Sequence, residues 1–278
     1  MQVSKETIDR FYRVGWEKRW LLQLDEDLIP KNLGFRFRMS KTLKLIDKKP
    51  NDRFRVLDFG CGVGVYDVNL LHRFPHATVF GIDLAEKQII AARELAKKAG
   101  VESRAFFAVG DVSEIGVLGP FDVIICSEVI AHLPDPSECL HTLWKASSEI
   151  TQMIISVPIK YYDQDNQVYH RQMLGDEFQA IESQNVQELD VSRDIYSYYY
   201  HLYSPREVTD LLSHHGFRVR RSQTSYFLLR DCPGLLKRLA NSINVRVKMD
   251  WLDRLIIFVY GYKHAEVMIL DCCLEDTK

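Results

Sequence analysis

Between about residues 54 and 157 the chain alternates short apolar runs with segments of helical periodicity. The apolar runs are nearly continuous, which is typical of strands buried on both faces of a parallel sheet. Parallel neighbours need crossover connections, and these are usually helices of right-handed sense. The pattern therefore predicts a doubly wound α/β domain, in which the first five strands are RVLDFG, TVFGID, RAFFAVGD, FDVIICSE and MIISVP.

Two more strands are expected after residue 203, which makes a mainly parallel seven-stranded sheet. A helix in SPREVTDLLSHHG precedes the strand FRVRRSQTSYFLL, and AEVMILDCC supplies the last strand. Ser204 and Glu207 have the spacing of a capping box at the start of that helix. Residues 1–50 are predicted to form a helical N-terminal cap. Residues 51–278 are predicted to form one domain, with an insertion after strand 5 at residues 159–203 that breaks the alternation.

A glycine-rich loop follows the first predicted strand, in VLDFGCGVGVY. Gly60, Gly62 and Gly64 allow positive φ and close approach of the backbone to a ligand. The dinucleotide fingerprint G-x-G-x-x-G would need a third glycine at Val65 or, counted from Gly62, at Asp67. The loop therefore disfavours a nicotinamide-dependent oxidoreductase.

Acidic residues stand at three successive strand ends. Asp58 closes the first strand, where a carboxylate suits the ammonium group of an amino acid better than a pyrophosphate. Asp83 ends the second strand, where an acid accepts ribose hydroxyls, and Asp111 follows the third, where it can accept an adenine amino group. Since carboxyl ends of parallel strands meet at one edge of the sheet, all three predict a single nucleoside site.

The order of these motifs resembles class I S-adenosylmethionine-dependent methyltransferases, particularly ubiquinone-biosynthesis O-methyltransferases and sugar methyltransferases. The resemblance rests on VLDFGCGVG, FGIDLAEKQIIAAR, VGDV and FDVIICSEVIAHLPDP. It implies a Rossmann-like methyltransferase fold, S-adenosyl-L-methionine as methyl donor and S-adenosyl-L-homocysteine as product. It also implies a basic residue before the first strand, for which Arg36 and Arg38 are candidates. Beside Asp58, the implied cofactor residues are Gly60, Cys61, Gly62, Asp83, Leu84, Asp111, Val112 and Ser127.

His132 is the leading candidate for a general base. It follows the fourth strand at the edge where ligands bind, and in the resembling family a histidine here often faces the acceptor. O-methylation of a small-molecule hydroxyl is the first expectation, and N-methylation of an amine or amino sugar is the alternative. A structural role for His132 stays open, as does a non-catalytic cofactor-binding or scaffold subunit. His201 is the candidate for a second proton acceptor.

The acceptor is expected to contact aromatic side chains from two parts of the chain. Eight of the 13 tyrosines lie between residues 161 and 203, and such a segment fits a lid over a polar or aromatic acceptor. The alternative is that these rings pack the insertion against the sheet or a second subunit. The candidate acceptor residues are Tyr12, Trp16, Tyr200, His201 and Tyr203.

Composition limits the partners that we expect. A net charge of -2 offers no electrostatic attraction for nucleic acid. The six cysteines lack metal-ligand spacing, so no metal site is predicted, and reduced thiols indicate a cytoplasmic protein. No apolar run is long enough to span a bilayer. The basic stretch at residues 237–248 would suit peripheral membrane contact, although an ordinary surface helix explains it too. A monomer or homodimer acting on a small-molecule acceptor is expected.

Overall fold

The computed structural model describes residues 33–111, 119–133, 135–159, 201–226 and 265–275. Seven strands form one sheet: β1 Arg55–Phe59, β2 Thr78–Asp83, β3 Ala105–Val109, β4 Val123–Ser127, β5 Gln152–Pro158, β6 Phe217–Tyr226 and β7 Ala265–Leu274. Within these ranges five α-helices accompany them: α1 Leu33–Leu45, α2 Val65–Arg73, α3 Glu86–Lys98, α4 Ser137–Lys145 and α5 Pro205–His214. A 3₁₀ turn, Ile130–His132, follows β4.

The sheet order is β3-β2-β1-β4-β5-β7-β6. The first five strands are parallel, and β7 pairs antiparallel with both β5 and β6. The strand order reverses between β1 and β4, which leaves a crevice at the carboxyl ends of these strands. The predicted doubly wound, mainly parallel seven-stranded sheet is therefore confirmed.

Helices cover both faces of the sheet, which explains why its strands are almost uninterrupted apolar runs. One core lies beneath α1, α2 and α3, where Leu70 and Ile89 pack on Val79 and Val123 with no exposed surface. The other core lies beneath α4 and α5 and includes Leu143 and Leu212. The strand ends are consequently held rigidly, so groups placed there keep a defined geometry.

A buried carboxylate joins the antiparallel strands to the segment after α1. Asp271 of β7 is fully buried and accepts hydrogen bonds from Arg220 and Arg221, each at 2.7 Å, and from Gln152 at 2.8 Å. A register shift in β6 between Val219 and Arg221 accompanies this double contact. Both arginines also reach Asp47, at 3.3 and 2.8 Å.

The helix ends follow the expected local chemistry. The Ser204 hydroxyl accepts from the Glu207 amide at 3.1 Å, and the Glu207 carboxylate accepts from the Ser204 amide at 3.2 Å, so the predicted capping box is confirmed. Before α4, Asp135 accepts from the Ser137 amide at 2.9 Å. Gly100, after α3, has the left-handed φ of 69° expected of a helix-ending glycine.

The predicted domain boundaries stay predictions. Of the N-terminal cap, only α1 and the residues after it are described, and most of the insertion at 159–203 and the basic stretch at 237–248 lie outside the described residues. The described ends of the insertion meet, because Ile159 bridges to Tyr203. Within the described ranges, no helix is long and apolar enough to cross a membrane, and the five cysteines there are free thiols.

Candidate active site

The glycine loop between β1 and α2 has the backbone conformation that its sequence predicts. Gly60, Gly62 and Gly64 all have positive φ, of 73°, 54° and 73°. The amides of Gly60 and Cys61 donate to the carbonyl of Ile82 at 2.8 and 3.1 Å, which fixes the loop against the end of β2. A Cβ on Gly60 would lie 2.4 Å from Val129 Cγ2. The loop is therefore confined between the ends of β2 and β4.

Asp83 holds this loop in place at the end of β2. Its Oδ2 accepts from the Gly62 amide and its Oδ1 from the Ala85 amide, both at 2.9 Å, and the Leu84 amide also contributes. Burial raises the pKa of Asp83, while these three amides oppose that rise. A carboxylate has about four acceptor positions, so Asp83 keeps capacity for a ligand hydroxyl.

The next strand end lies beside Asp83. The Gly110 amide donates to the Asp83 carbonyl at 3.1 Å, which brings Asp111 to the crevice, where its side chain is half-buried. The predicted ribose and adenine acids thus lie on neighbouring strand ends. Val112, the other predicted adenine contact, lies outside the described residues.

A pair of carboxyl groups lies beneath the glycine loop. Asp58 at the end of β1 and Asp67 in the first turn of α2 are 3% and 0% exposed. Burial raises the pKa of Asp58 to about 7, with a hydrogen bond from Asp67 lowering it and the charge of Asp83 raising it further. Burial, followed by the charge of Asp58, raises the pKa of Asp67 well above its usual value.

Cys61 is a packing residue within the loop. Its side chain is buried and its Sγ lies 2.9 Å from where a Cβ on Gly81 would stand. Burial raises the thiol pKa strongly, and the charges of Asp67, Asp83 and Asp58 raise it further. A thiol held neutral in this way is a poor nucleophile.

Ser127, at the end of β4, belongs to a chain of polar side chains. Its Oγ lies 3.1 Å from the Tyr66 hydroxyl and 2.9 Å from Ser156 Oγ, and Ser156 Oγ lies 3.1 Å from Glu128 Oε1. These side-chain contacts therefore link the first turn of α2 to the ends of β4 and β5. Burial raises the pKa of Tyr66, so its hydroxyl stays neutral.

Glu128 has an unusual backbone conformation beside the site. Its φ is 61°, a left-handed value that is uncommon for residues other than glycine and often marks functional sites. Its Oε2 lies 3.9 Å from Arg38 on α1. Arg38, one of the two basic candidates, therefore reaches the edge of the sheet where the glycine loop lies.

The two candidate bases lie on neighbouring segments. His132 ends the 3₁₀ turn after β4, with its amide donating to Val129 at 2.9 Å and its side chain half-buried. The His201 amide donates to the Ala131 carbonyl at 2.8 Å, so the two backbones are adjacent. The His201 Nε2 atom contacts Glu207 Oε1 at 2.6 Å, which orients the ring.

The candidate acceptor residues are only partly described. Tyr203 is 4% exposed, its hydroxyl donates to the Ile130 carbonyl at 3.3 Å, and its ring meets that of His201 edge-on at 4.4 Å. These contacts hold the end of the insertion against the turn that carries His132. Tyr12, Trp16 and Tyr200 lie outside the described residues, so their acceptor roles stay predictions.

Sequence reasoning missed Tyr66, Ser156 and Asp67 as members of the site. Tyr66 and Asp67 stand two and three positions after Gly64. The sequence therefore places their backbone next to the ligand-binding edge of the sheet, but it does not show where their side chains lie. Ser156 is hidden within an otherwise apolar strand. Its contact with Ser127 depends on the β4–β5 register, which pairs these two residues.

The glycine loop and the acids at successive strand ends lie at the edge of the sheet where proteins of the doubly wound α/β class bind their ligands. A family model described as a methyltransferase domain matches residues 50–200, more than half of the chain. The mitochondrial ubiquinone biosynthesis O-methyltransferase of Saccharomyces cerevisiae is 36% identical over 100 residues, 36% of this chain and 31% of that protein. Trans-aconitate 2-methyltransferase of Deinococcus radiodurans is 30% identical over 119 residues, 42% of each chain.

Solved structures agree on the fold. A Galdieria sulphuraria structure, described as a sarcosine dimethylglycine methyltransferase, has a TM-score of 0.57 at 14% identity and covers 97% of this chain and 98% of its own. The chain therefore belongs to the methyltransferase domain family, among the class I S-adenosylmethionine-dependent methyltransferases. The matched part spans less than half the length of these curated relatives.

Proposed function

We propose that this protein transfers a methyl group from S-adenosyl-L-methionine to the hydroxyl of a small-molecule acceptor. The observation that carries the proposal is the arrangement of the glycine loop with Asp58, Asp83 and Asp111 around one crevice. In that arrangement Asp58 would bind a cation, Asp83 would accept hydroxyl groups and Asp111 would accept an amino group. The same order of groups occurs along a nucleoside that bears a charged amino acid.

The residues present fit such a molecule. At Gly62, which has a positive φ, the only atom among the described residues within 4 Å of where a Cβ would stand is Gln88 Oε1 at 3.9 Å, so the loop backbone is open to a ligand there. We assign the methionine part to Gly60, Cys61 and Gly62, with Asp58 near its ammonium group. Asp83 would accept ribose hydroxyls, and Leu84, Asp111 and Val112 would frame the adenine. Ser127 would face the cofactor from the end of β4.

Arg38 is the basic residue that we assign to the cofactor carboxylate. It approaches the site from α1 and lies 3.9 Å from Glu128. A guanidinium between a protein acid and a ligand carboxylate can contact both, because its five N–H groups form a fork. Arg36, the other basic candidate, lies on the same helix.

Bound S-adenosyl-L-methionine supplies an electrophilic methyl group on a sulfonium, so the protein's task is positioning, exclusion of water and proton removal. Positioning can supply on the order of 7–11 kcal/mol. A general base contributes roughly 10²–10⁴-fold, and we assign that role to His132. His201, oriented by Glu207, would serve as a second proton acceptor on the adjacent segment.

Hydroxyl methylation is favoured over amine methylation by the relatives. Several curated relatives are ubiquinone biosynthesis O-methyltransferases. The acceptor side in this chain is also rich in tyrosine and histidine. These side chains suit a polar or aromatic hydroxyl compound.

Binding and transfer are tested separately. Isothermal titration with S-adenosyl-L-homocysteine should show one site per chain, and absence of binding by folded protein would favour a scaffold. Transfer of tritium from labelled S-adenosyl-L-methionine, screened over phenols, sugars, amines and carboxylic acids, then identifies the acceptor class. Label in amines alone would overturn the proposed hydroxyl acceptor.

The role of His132 is tested by His132→Ala with His76→Ala as a matched control. His76 is an exposed histidine that precedes β2 at the opposite edge of the sheet. We expect His132→Ala to lose roughly 10²–10⁴-fold in rate with little change in S-adenosyl-L-homocysteine affinity. A retained rate across the pH range would remove His132 as the base.

A further inference from the structure

Two buried carboxyls, those of Asp58 and Asp67, lie below the glycine loop. Asp67 is fully buried, and neither of its oxygens has a hydrogen-bond donor among the described residues. A buried acceptor without a donor costs about 1–3 kcal/mol, more if it is charged. The residue is therefore retained at a cost in stability, at the point where α2 begins beneath the loop.

A proton on Asp67 removes this cost, because the group that its side chain meets is another acid. The carboxyl of Asp58 interacts with that of Asp67, and two carboxyls can share a hydrogen bond only when one carries a proton. That proton satisfies one oxygen of Asp67 and gives Asp58 a donor. Of the two acids, Asp67 has no exposed surface and no donor to either oxygen among the described residues, so we expect it to be the one that holds the proton.

The surroundings of the pair are acidic. The charge of Asp83, at the end of β2, raises the pKa of Asp58. The charge of Asp58 in turn raises the pKa values of the Cys61 thiol in the loop and the Cys126 thiol on β4. Both thiols have raised pKa values and stay neutral. With a proton held by Asp67, the pair carries at most one negative charge near neutral pH, on the oxygens of Asp58.

We propose that Asp67 is a positioning residue that keeps its proton at neutral pH and donates it to Asp58, so that Asp58 meets the cofactor ammonium as an anion. This inference rests on the proposed function, because it assigns the ligand of Asp58. The ammonium group would be a positive partner for Asp58, on which the described part of the chain acts through the negative charge of Asp83. Asp67 does not touch the cofactor and acts only through Asp58.

The test compares Asp67→Asn, which keeps a donor, with Asp67→Ala, which removes it. Affinity for S-adenosyl-L-homocysteine is measured by titration calorimetry from about pH 5.5 to about pH 8.5, a range centred on the pKa of Asp58 at about 7. In the wild type, affinity should fall below that pKa as Asp58 becomes neutral. In Asp67→Ala the hydrogen-bond donor to Asp58 is lost, which raises the pKa of Asp58 further. The curve of affinity against pH for this variant should therefore move to higher pH. A shift of one unit weakens binding about tenfold on the acid limb.

The Asn profile should stay within about twofold of the wild type, since an amide N–H replaces the carboxyl donor. A folded Ala variant with an unshifted profile, or an Asn variant as impaired as Ala, would contradict the positioning role. Failure of the wild type to bind S-adenosyl-L-homocysteine would instead contradict the proposed function.

Infrared spectroscopy tests the protonated state without any ligand. At about pH 8 the wild type should show a protonated-carboxyl C=O band that Asp67→Asn lacks. Asp210→Asn is the matched control, because Asp210 is an exposed acid on α5 paired with Arg206, and its loss should leave the band unchanged. Identical spectra for the wild type and Asp67→Asn would overturn the inference even if Asp67→Ala does not fold.

Discussion

Asp83 and Gly62 are joined by a hydrogen bond of 2.9 Å between the carboxylate of β2 and an amide of the glycine loop. The other oxygen of the same carboxylate accepts the Ala85 amide at 2.9 Å. Asp83 thus organises two backbone segments as well as offering acceptor capacity to a ligand. The loop conformation and the assigned ribose contact depend on one side chain.

Asp83→Asn tests this double role. One end of the carboxylate becomes an N–H donor facing a backbone donor, so at least one of the amides loses its acceptor. We expect affinity for S-adenosyl-L-homocysteine to fall about tenfold or more, and the free energy of unfolding to fall by about 1–3 kcal/mol. Titration calorimetry and urea unfolding measure these changes. Asp210→Asn, on the exposed face of α5, should change neither value.

Gly60→Ala is expected to be much more damaging than Gly100→Ala. The two glycines have similar φ values, 73° and 69°, so the cost of a left-handed alanine, about 1–2 kcal/mol, is common to both. Only at Gly60 would the new Cβ meet another atom, Val129 Cγ2 at 2.4 Å, whereas Gly100 faces open space. Thermal unfolding and ligand titration of both variants should show impaired binding for Gly60→Ala alone. Equal effects would mean that the contact with Val129 relaxes without cost.

Asp271→Ala should destabilise the antiparallel edge of the sheet. Its carboxylate is fully buried and receives two arginines and Gln152, so removing it takes away an acceptor that all three share. We expect a loss of about 1–3 kcal/mol in the free energy of unfolding, because the two arginines are 36% and 45% exposed and keep their contacts with Asp47. Asp47→Ala is the comparison, because Asp47 meets the same arginines but is 48% exposed. Its loss should cost less than about 1 kcal/mol.

The stability of the free protein should decrease as pH rises towards 7. The folded pKa of Asp58, about 7, lies above its usual value of 3.8. Between these values the folded chain binds more protons than the unfolded chain, so the free energy of unfolding falls with increasing pH. Between about pH 5.5 and about pH 8 the free energy of unfolding of the wild type should fall by ~2 kcal/mol relative to that of Asp58→Asn. Parallel pH dependence in urea unfolding of both proteins would contradict the buried titration.

The strands and the cofactor loop were predictable because each depends on local chemistry. A parallel strand buried on both faces requires an apolar run, and a loop with positive φ requires glycine, so both are visible in β1 and in Gly60–Gly64. The capping box of Ser204 and Glu207 is visible for the same reason, since its two bonds join residues three positions apart. Asp58, Asp83 and Asp111 were identified by their positions directly at or after strand ends.

The partners of these acids depended on the tertiary structure. Asp83 could be placed beside a nucleoside from its position, yet its bond to the Gly62 amide spans 21 residues and arises from the parallel pairing of β1 and β2. Likewise, the link from Tyr66 through Ser127 to Ser156 needs α2, β4 and β5 to converge. No periodic pattern in the chain carries information about such contacts.

By itself, the sequence determined the class of fold, the strand ends that carry the acids and the glycine conformations of the loop. Only the tertiary structure decided that Asp58 lies against Asp67, that Asp83 is bonded to loop amides, and that Glu128 adopts a left-handed conformation beside Arg38. The physical reason is that burial and long-range contact set protonation and hydrogen bonding. Both quantities depend on which distant segments pack together, and local residue patterns specify only the segments themselves.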